Sequence, residues 1–424
     1  MRRTTTVTVA TLLGLTAPLL ASAATTAPAS AAGETCRGRA ATIVGGRSIV
    51  GTDGPDVVVT EGATSVRTLG GDDLVCVTGT VPVYVDVATG DGDDVVDGTT
   101  APGEDVRVTL GSGTDTFLGS GGDDYVELAY PDPGAGPDVV HGGGGTDALS
   151  LRTGPGAAAI DNVTGTFTSD GLVRATLSGL ERFWLPSEPA GRDLAFVGSD
   201  RDEQVFDSAA DVPSRVDIDL GGGDDAYYGE APPAAASRLD GGAGRDLLYL
   251  VSPLADLDLD LRDGLLSVGP ADDRVLGAAG FEDAELFAHR VRLDGTDGPN
   301  RLGVTACDGT LRGRGGDDVV ERAYEGIFEL DAVNCHESLT INGGAGDDEM
   351  TGSGGPDTIV GGKGRDRLNG RHGADRLVGG RGHDHLRGRE QRDTLLGGPG
   401  RDVADGGRGS RDLCRAERER RCER

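Results

Sequence analysis

The sequence predicts an all-β chain wound as a parallel β-solenoid, and three observations carry that prediction. Residues Gly343 to Cys414 divide without gaps into eight nonapeptides. Degenerate copies of the same Gly/Asp unit recur through most of the upstream chain. Composition argues against the ordinary alternative, because 73 glycines and 4% aromatic residues in 424 suit a compact globular core poorly. Such a composition without periodicity would indicate disorder. Here Val, Leu and Ile recur in phase with the glycines.

The eight units are GGAGDDEMT, GSGGPDTIV, GGKGRDRLN, GRHGADRLV, GGRGHDHLR, GREQRDTLL, GGPGRDVAD and GGRGSRDLC. Position one is always Gly, and position four is Gly in all but the sixth unit. Gly343, Gly346, Gly352, Gly355, Gly361, Gly364, Gly379 and Gly382 fill these places in the best-kept units. They admit positive φ and let carbonyls approach an ion without a Cβ in the way. Position six is Asp348, Asp357, Asp366, Asp375, Asp384, Asp393 and Asp402 in the first seven units. Asp supplies a hard anionic oxygen, and calcium takes about six to eight oxygens from carboxylates and carbonyls. Position eight is apolar throughout (Met350, Ile359, Leu368, Leu377, Leu386, Leu395, Ala404 and Leu413). It is the inward middle residue of a short strand. One such residue makes a core only when turns stack, at about 4.8 Å per coil.

The pattern resembles the RTX, or hemolysin-type, calcium-binding repeat, G-G-x-G-x-D-x-(apolar)-x. The resemblance covers Gly343 to Cys414 and implies a right-handed parallel β-roll, two nonapeptides to a coil, with several Ca²⁺ ions between loops stacked on one edge. It would place Asp348, Asp366, Asp384 and Asp402 on one edge and Asp357, Asp375 and Asp393 on the other. Each ion would bridge two carboxylates, with loop carbonyls completing its shell. Toward the end the pattern loosens. Arg371 and Arg389 replace the second Gly, Gln391 replaces the fourth, and Arg411 takes the last Asp position with Asp412 one place late. Arg365, Arg392 and Arg401 stand beside the Asp, where a cation would compete with calcium. The last three loops are therefore expected to be weak sites.

Upstream, Gly142 to Ser150 and Gly241 to Tyr249 are complete units carrying Asp147 and Asp246. Leu110 to Leu118 and Gly119 to Glu127 form a tandem pair with Asp115 and Asp124, and Pro133 to His141 brings Asp138. Partial copies end at Asp56, Asp73, Asp94, Asp225 and Asp318. Above these lies a longer period, in which G-T-D-G-P-D at Gly51, G-S-D-R-D-E at Gly198 and G-T-D-G-P-N at Gly295 each precede a G-D-D. The phrase G-L-E at Gly179 recurs as G-F-E at Gly280. Alternating runs such as Val83 to Val87 and Leu257 to Leu261 suit solenoid strands, and the Pro-rich spots at Pro131–Pro137 and Pro232–Pro233 suit protruding loops. The expected organisation is an irregular parallel solenoid over 33–342, a regular roll over 343–414 and a basic cap over 415–424. Asp124, Asp147 and Asp246 are the upstream candidate ligands. A sandwiched ion there needs a second loop in the adjacent coil, which irregular spacing does not guarantee.

The net charge is −31, unevenly spread. Residues 361–424 hold 17 basic and 11 acidic residues, a net of +6, which leaves −37 for the rest. That charge repels nucleic acid and anionic lipid and attracts cations. Residues 1–32 have the form of a secretory signal: Arg2 and Arg3, an apolar stretch from Val7 to Leu20, then a small-residue segment with A-x-A-like sites. No apolar stretch is long enough to span a membrane. A secreted protein exported by the general route is expected. Its six cysteines are then available for disulfides, with Cys36–Cys76, Cys307–Cys335 and Cys414–Cys422 favoured by proximity.

No H-E-x-x-H or G-x-S-x-G occurs, and no uninterrupted segment is long enough for a hydrolase domain. His383 and His385 flank Asp384 inside a repeat, where loop and strand positions explain them better than zinc. The alternatives to a calcium-binding structural protein are a carbohydrate-active β-helix, such as a uronate polysaccharide lyase or epimerase, and a calcium-dependent adhesin. Trp184, with Phe183, Glu181 and Arg182, is the aromatic cluster that a sugar groove would use. Extracellular polysaccharide or a cell surface is the partner such readings imply.

Overall fold

The computed structural model describes residues 33–81, 83–101, 103–128, 135–152, 156–185, 193–208, 214–269, 274–323, 337–409 and 411–422. Within them every helix or strand element is a β-strand, and the pairing is overwhelmingly parallel, giving a solenoid of about 16 turns. The 1–32 segment lies outside the described residues.

The chain alternates between two stacks, so most strands pair with the next but one. The front stack climbs from Ser48–Val50 through Tyr125–Leu128, Arg182–Leu185 and Glu349–Thr351 to Arg418–Arg420. The back stack climbs from Ile43–Val44 through Thr116–Leu118 and Thr358–Gly364 to Leu413–Arg415. Three long strands, Leu247–Asp260, Asp283–Asp294 and Arg301–Gly315, turn the corner and belong to both. Leu339–Ala345 pairs with Arg301–Gly315 below and Thr358–Gly364 above, joining the irregular coils to the regular ones. Arg418–Arg420 pairs with Val403–Gly407, so the 415–424 segment contributes a strand of its own.

Alternation along each short strand sends one side chain inward. Val126, Leu149, Phe183, Val205, Tyr227, Leu248, Met350, Leu368 and Leu386 fill the front side of a single core. Upstream strands are longer and bury more: Asp105–Leu110 contributes Val106, Val108 and Leu110. That wider core is how the upstream coils hold more than eighteen residues without losing the stack.

The expectation of uninterrupted parallel pairing is corrected at two places, both in the back stack. Ala158–Asp161, Thr166–Ser169 and Leu172–Ser178 fold as an antiparallel meander. The end of Leu247–Asp260 does the same with Leu265–Val268 and Arg274–Ala279. The cause is local turn chemistry. In both, Asp caps a tight turn five residues long that ends in Gly, Asp161 to Gly165 and Asp260 to Gly264. The Asp161 carboxylate accepts the Thr164 N–H, and Asp260 accepts those of Arg262 and Asp263. Each meander ends in the recurring G-L-E or G-F-E phrase.

Cys36–Cys76 ties an N-terminal hairpin, Thr35–Cys36 with Arg39–Ala40, to the first coils. Cys414–Cys422 ties the strand Leu413–Arg415 to the residues just past Arg418–Arg420. Cys307 lies in Arg301–Gly315, and its expected partner Cys335 falls outside the described residues.

Candidate metal centre

The residue at position six sits immediately before each strand, and there the coils are joined by side chain rather than by backbone alone. The N–H of Asp348 donates to Oδ1 of Asp366 at 3.1 Å, that of Asp366 to Asp384 at 3.0 Å, and that of Asp384 to Asp402 at 3.0 Å. On the back edge the N–H of Leu339 donates to Asp357, Asp357 to Asp375 and Asp375 to Asp393, at 2.7, 2.9 and 3.0 Å. Each edge thus carries a ladder in which every carboxylate satisfies a donor of the coil before it.

The front ladder does not stop at the regular array. It begins with Val106 donating to Asp124, then Asp124 to Asp147 and Asp147 to Glu181. It resumes with Glu203 to Asp225, Asp225 to Asp246 and Asp246 to Glu282, then Asn300 to Asp318 and Asp318 to Asp348. The back ladder has an earlier run, Asp56–Asp73–Asp94–Asp115–Asp138. Between Asp138 and Leu339 the back positions are apolar or neutral (Leu194, Val216, Ser237, Gly309) and carry no carboxylate rung among the described residues, although the Ser237 hydroxyl accepts the Val216 N–H at 3.0 Å. Steps of 17 to 36 residues replace the regular 18, yet the loops meet. Asp124, Asp147 and Asp246 therefore each have a neighbouring carboxylate one coil away, which their spacing left open.

One oxygen per rung is used; the other is what makes the site. Oδ2 of Asp73, Asp94, Asp115, Asp147, Asp225, Asp246, Asp318, Asp348, Asp366, Asp375, Asp384, Asp393 and Asp402 is buried with no hydrogen-bond partner. A carboxylate oxygen stripped of water and unpaired is costly, and a cation is the natural compensation. Burial pushes Asp115, Asp147, Asp225, Asp318, Asp366 and Asp375 up to about 7, and Asp94, Asp246, Asp348 and Asp393 up to about 6. The N–H of the coil below opposes this, and neighbouring carboxylates add to it; for Asp366 these are Asp384, Asp348 and Asp347.

Glycine at position one is required by the carboxylate itself. A Cβ on Gly343 would lie 2.2 Å from Oδ2 of Asp348. At position four, Gly364 has φ +132° and approaches the Gly346 carbonyl so closely that a Cβ would sit 1.9 Å from its oxygen. Gly352, Gly361 and Gly379 repeat the first arrangement and Gly346 and Gly382 the second, while Gly355 packs its Cα on the Glu337 carbonyl.

Arg365, Arg392 and Arg401 are exposed, whereas Asp366, Asp393 and Asp402 are buried, so these arginines do not fill the ladder. The displaced Asp412 still makes its rung, accepting the Asp393 N–H at 3.0 Å, and Glu417 accepts that of Asp402 at 2.8 Å. Sequence reasoning also missed Glu181, Glu203 and Glu282 as rungs, although the repeated G-L-E and G-F-E phrases mark two of them. It missed the first Asp of each G-D-D as well. Asp72, Asp93, Asp123, Asp224, Asp317 and Asp347 form an outer series that accepts N–H groups in the opposite sense, from the coil after, and Asp202 of the Ser199–Glu203 phrase joins it.

Among the described residues no group of three or more His, Cys, Asp or Glu side chains is arranged to hold a metal by side chains alone. A soft-ligand metal is thus poorly served. A hard cation taking paired Asp oxygens and loop carbonyls suits the donor set. A family model described as RTX calcium-binding nonapeptide repeat (4 copies) matches residues 105–127, 134–154, 340–359, 351–386 and 378–413. The chain carries RTX calcium-binding repeats. No curated protein matches it. The RTX segments contain eight of the thirteen unpartnered oxygens. The rungs at Asp73, Asp94, Asp225, Asp246 and Asp318 have the same geometry outside them.

Proposed function

We propose that this is an exported calcium-binding β-roll protein whose ladders take Ca²⁺ between stacked loops, order on binding it, and serve a structural or surface-interaction role. The carrying observation is the aligned set of buried Asp Oδ2 atoms without partners. Asp348, Asp366, Asp384 and Asp402 on the front edge, and Asp375 and Asp393 on the back, would hold ions with loop carbonyls. Asp147 and Asp246 extend the front series. Calcium supplies charge neutralisation there, and because the unfolded chain has no such site, binding energy becomes folding energy. Export is supported by the signal-like 1–32 segment and by the disulfides Cys36–Cys76 and Cys414–Cys422, which suit an oxidising compartment.

A surface-interaction role draws support from the C-terminal coils. Arg367, Arg376, Arg381, Arg387, Arg418 and Arg420 are exposed with no carboxylate of the described residues within 4.0 Å, whereas upstream arginines such as Arg238, Arg245 and Arg312 are ion-paired. An anionic extracellular polysaccharide or cell surface would meet that charge. The lyase or epimerase alternative is less well served. One face of the half-buried Trp184 is stacked on Phe206 at 4.5 Å and Tyr125 meets it edge to face, so that face is not open to a sugar. The deciding experiment is a Ca²⁺ titration of the signal-free chain by circular dichroism with a chelator control. A spectrum indifferent to calcium would sink the proposal.

A further inference from the structure

Two classes stand out among the rungs, and the residue at position two of the loop separates them. In five loops that residue is Ser or Thr: Thr52 before Asp56, Ser120 before Asp124, Ser199 before Glu203, Thr296 before Asn300, and Ser353 before Asp357. The same motif recurs in all five. The position-two N–H donates to the rung oxygen, at 2.7 Å for Asp56, 2.6 Å for Asp124, 3.1 Å for Glu203, 2.7 Å for Asn300 and 2.6 Å for Asp357. The hydroxyl bonds to the same side chain. It also accepts the N–H of position four, from Gly54, Gly122, Arg201, Gly298 and Gly355.

None of these five rungs belongs to the unpartnered set, and all thirteen unpartnered Oδ2 atoms lie in loops with another residue at position two. The backbone differs in step. Ser or Thr at position two, and the residue at position four behind it, stay out of the left-handed region. In most loops of the other class both positions enter it: Gly344 and Gly346 at +110° and +146°, Gly362 and Gly364 at +121° and +132°, Gly380 and Gly382 at +115° and +151°. Residues with a Cβ do so too, Leu69 at +80°, Arg314 at +78° and Arg389 at +87°. That conformation is costly for an L side chain, so its persistence there points to a loop shape that matters.

We infer that position two selects which rungs take calcium: Ser or Thr latches the loop shut over its own carboxylate, and a residue that cannot make the latch leaves the second oxygen for the ion. The inference rests on the calcium reading of the ladders. Its chemistry is simple. A latched loop turns two donors, an N–H and an O–H, onto the rung oxygens, occupying lone pairs that a cation would need. Asn300 agrees independently, since a neutral amide replaces the anion in one latched loop. Asp124 and Asp357, counted from the sequence among the ligands, are therefore spacers that interrupt the ion series.

The test is ion counting on the full signal-free chain by native mass spectrometry and equilibrium dialysis at saturating calcium, with circular dichroism to establish that each variant is folded. Ser353→Gly should gain about one ion per chain. Arg389→Ser should lose about one, and its backbone already tolerates a Cβ; Arg389→Ala should bind as the parent does. An unchanged count in Ser353→Gly, or a parental count in folded Arg389→Ser, overturns the latch. If the parent chain binds no calcium, the failure lies with the calcium reading itself; if it binds but the counts ignore position two, only the latch falls.

Discussion

The backbone N–H of Asp348 is satisfied by Oδ1 of Asp366 in the next coil, while Oδ2 of Asp366 is buried with nothing to bind. The same carboxylate is thus a structural acceptor through one oxygen and an open anionic ligand through the other. The two roles separate by substitution. Asp366→Asn keeps an acceptor and removes the charge, so stability in chelator should hold or rise while the calcium-dependent gain shrinks. Asp366→Ala strands the Asp348 N–H and should cost about 1–3 kcal/mol with or without calcium. Chemical denaturation in both conditions reads the difference.

Protons should substitute for calcium. Burial raises Asp94 and Asp348 from 3.8 to about 6 and Asp366 and Asp375 to about 7. Their contribution is then fully present below about pH 4 and is lost as pH rises through about 6 to 7, because the fold prefers the neutral form. Thermal melts in chelator should accordingly give a higher Tm at about pH 5 than at about pH 8, with calcium removing most of that slope. A metal-free Tm that climbs with pH would contradict the buried-carboxylate account.

Glycine substitutions should divide by contact. Gly343→Ala drives a methyl to 2.2 Å from Asp348 Oδ2 and should cost about 1–3 kcal/mol and weaken calcium binding. Gly54→Ala meets nothing within 4 Å and should stay within about 0.5 kcal/mol of the parent.

Trp184, the sole tryptophan, lies in a row of touching rings that runs Tyr125, Trp184, Phe206, Tyr228, Tyr249 and Phe287. Its fluorescence should therefore report stacking of the upstream coils as calcium is added. Trp184→Ala should destabilise by about 1–3 kcal/mol through its two lost ring pairs, without abolishing calcium binding. An emission that is constant from chelator to saturating calcium would show that the upstream coils stack without the ion.

Most of this architecture was legible because the period was strict: Gly at one, Asp at six and an apolar residue at eight dictate a loop, a rung and an inward side chain. Legibility failed where function is kept by geometry rather than by residue identity. Glu181 and Glu282 reach a rung from a differently spaced phrase, and Asp412 reaches one from a shifted position. The antiparallel meanders were hidden because Leu257 to Leu261 alternates identically in either strand direction, and only the Asp260–Gly264 turn fixes which.

The ladder also has a direction. The carboxylate rungs that take a backbone N–H take it from the loop before and never from the loop after, from Asp124 accepting Val106 to Glu417 accepting Asp402. A coil is consequently incomplete until its successor arrives, so growth of the roll resembles addition to the one receptive end of a polar filament. Removing the strand Arg418–Arg420 with Glu417 would leave the Asp402 N–H open, and that defect would sit at the growing end. A disulfide stands at each end, Cys36–Cys76 at the first coils and Cys414–Cys422 at the last, so the open donor is left inside a covalently tied terminus.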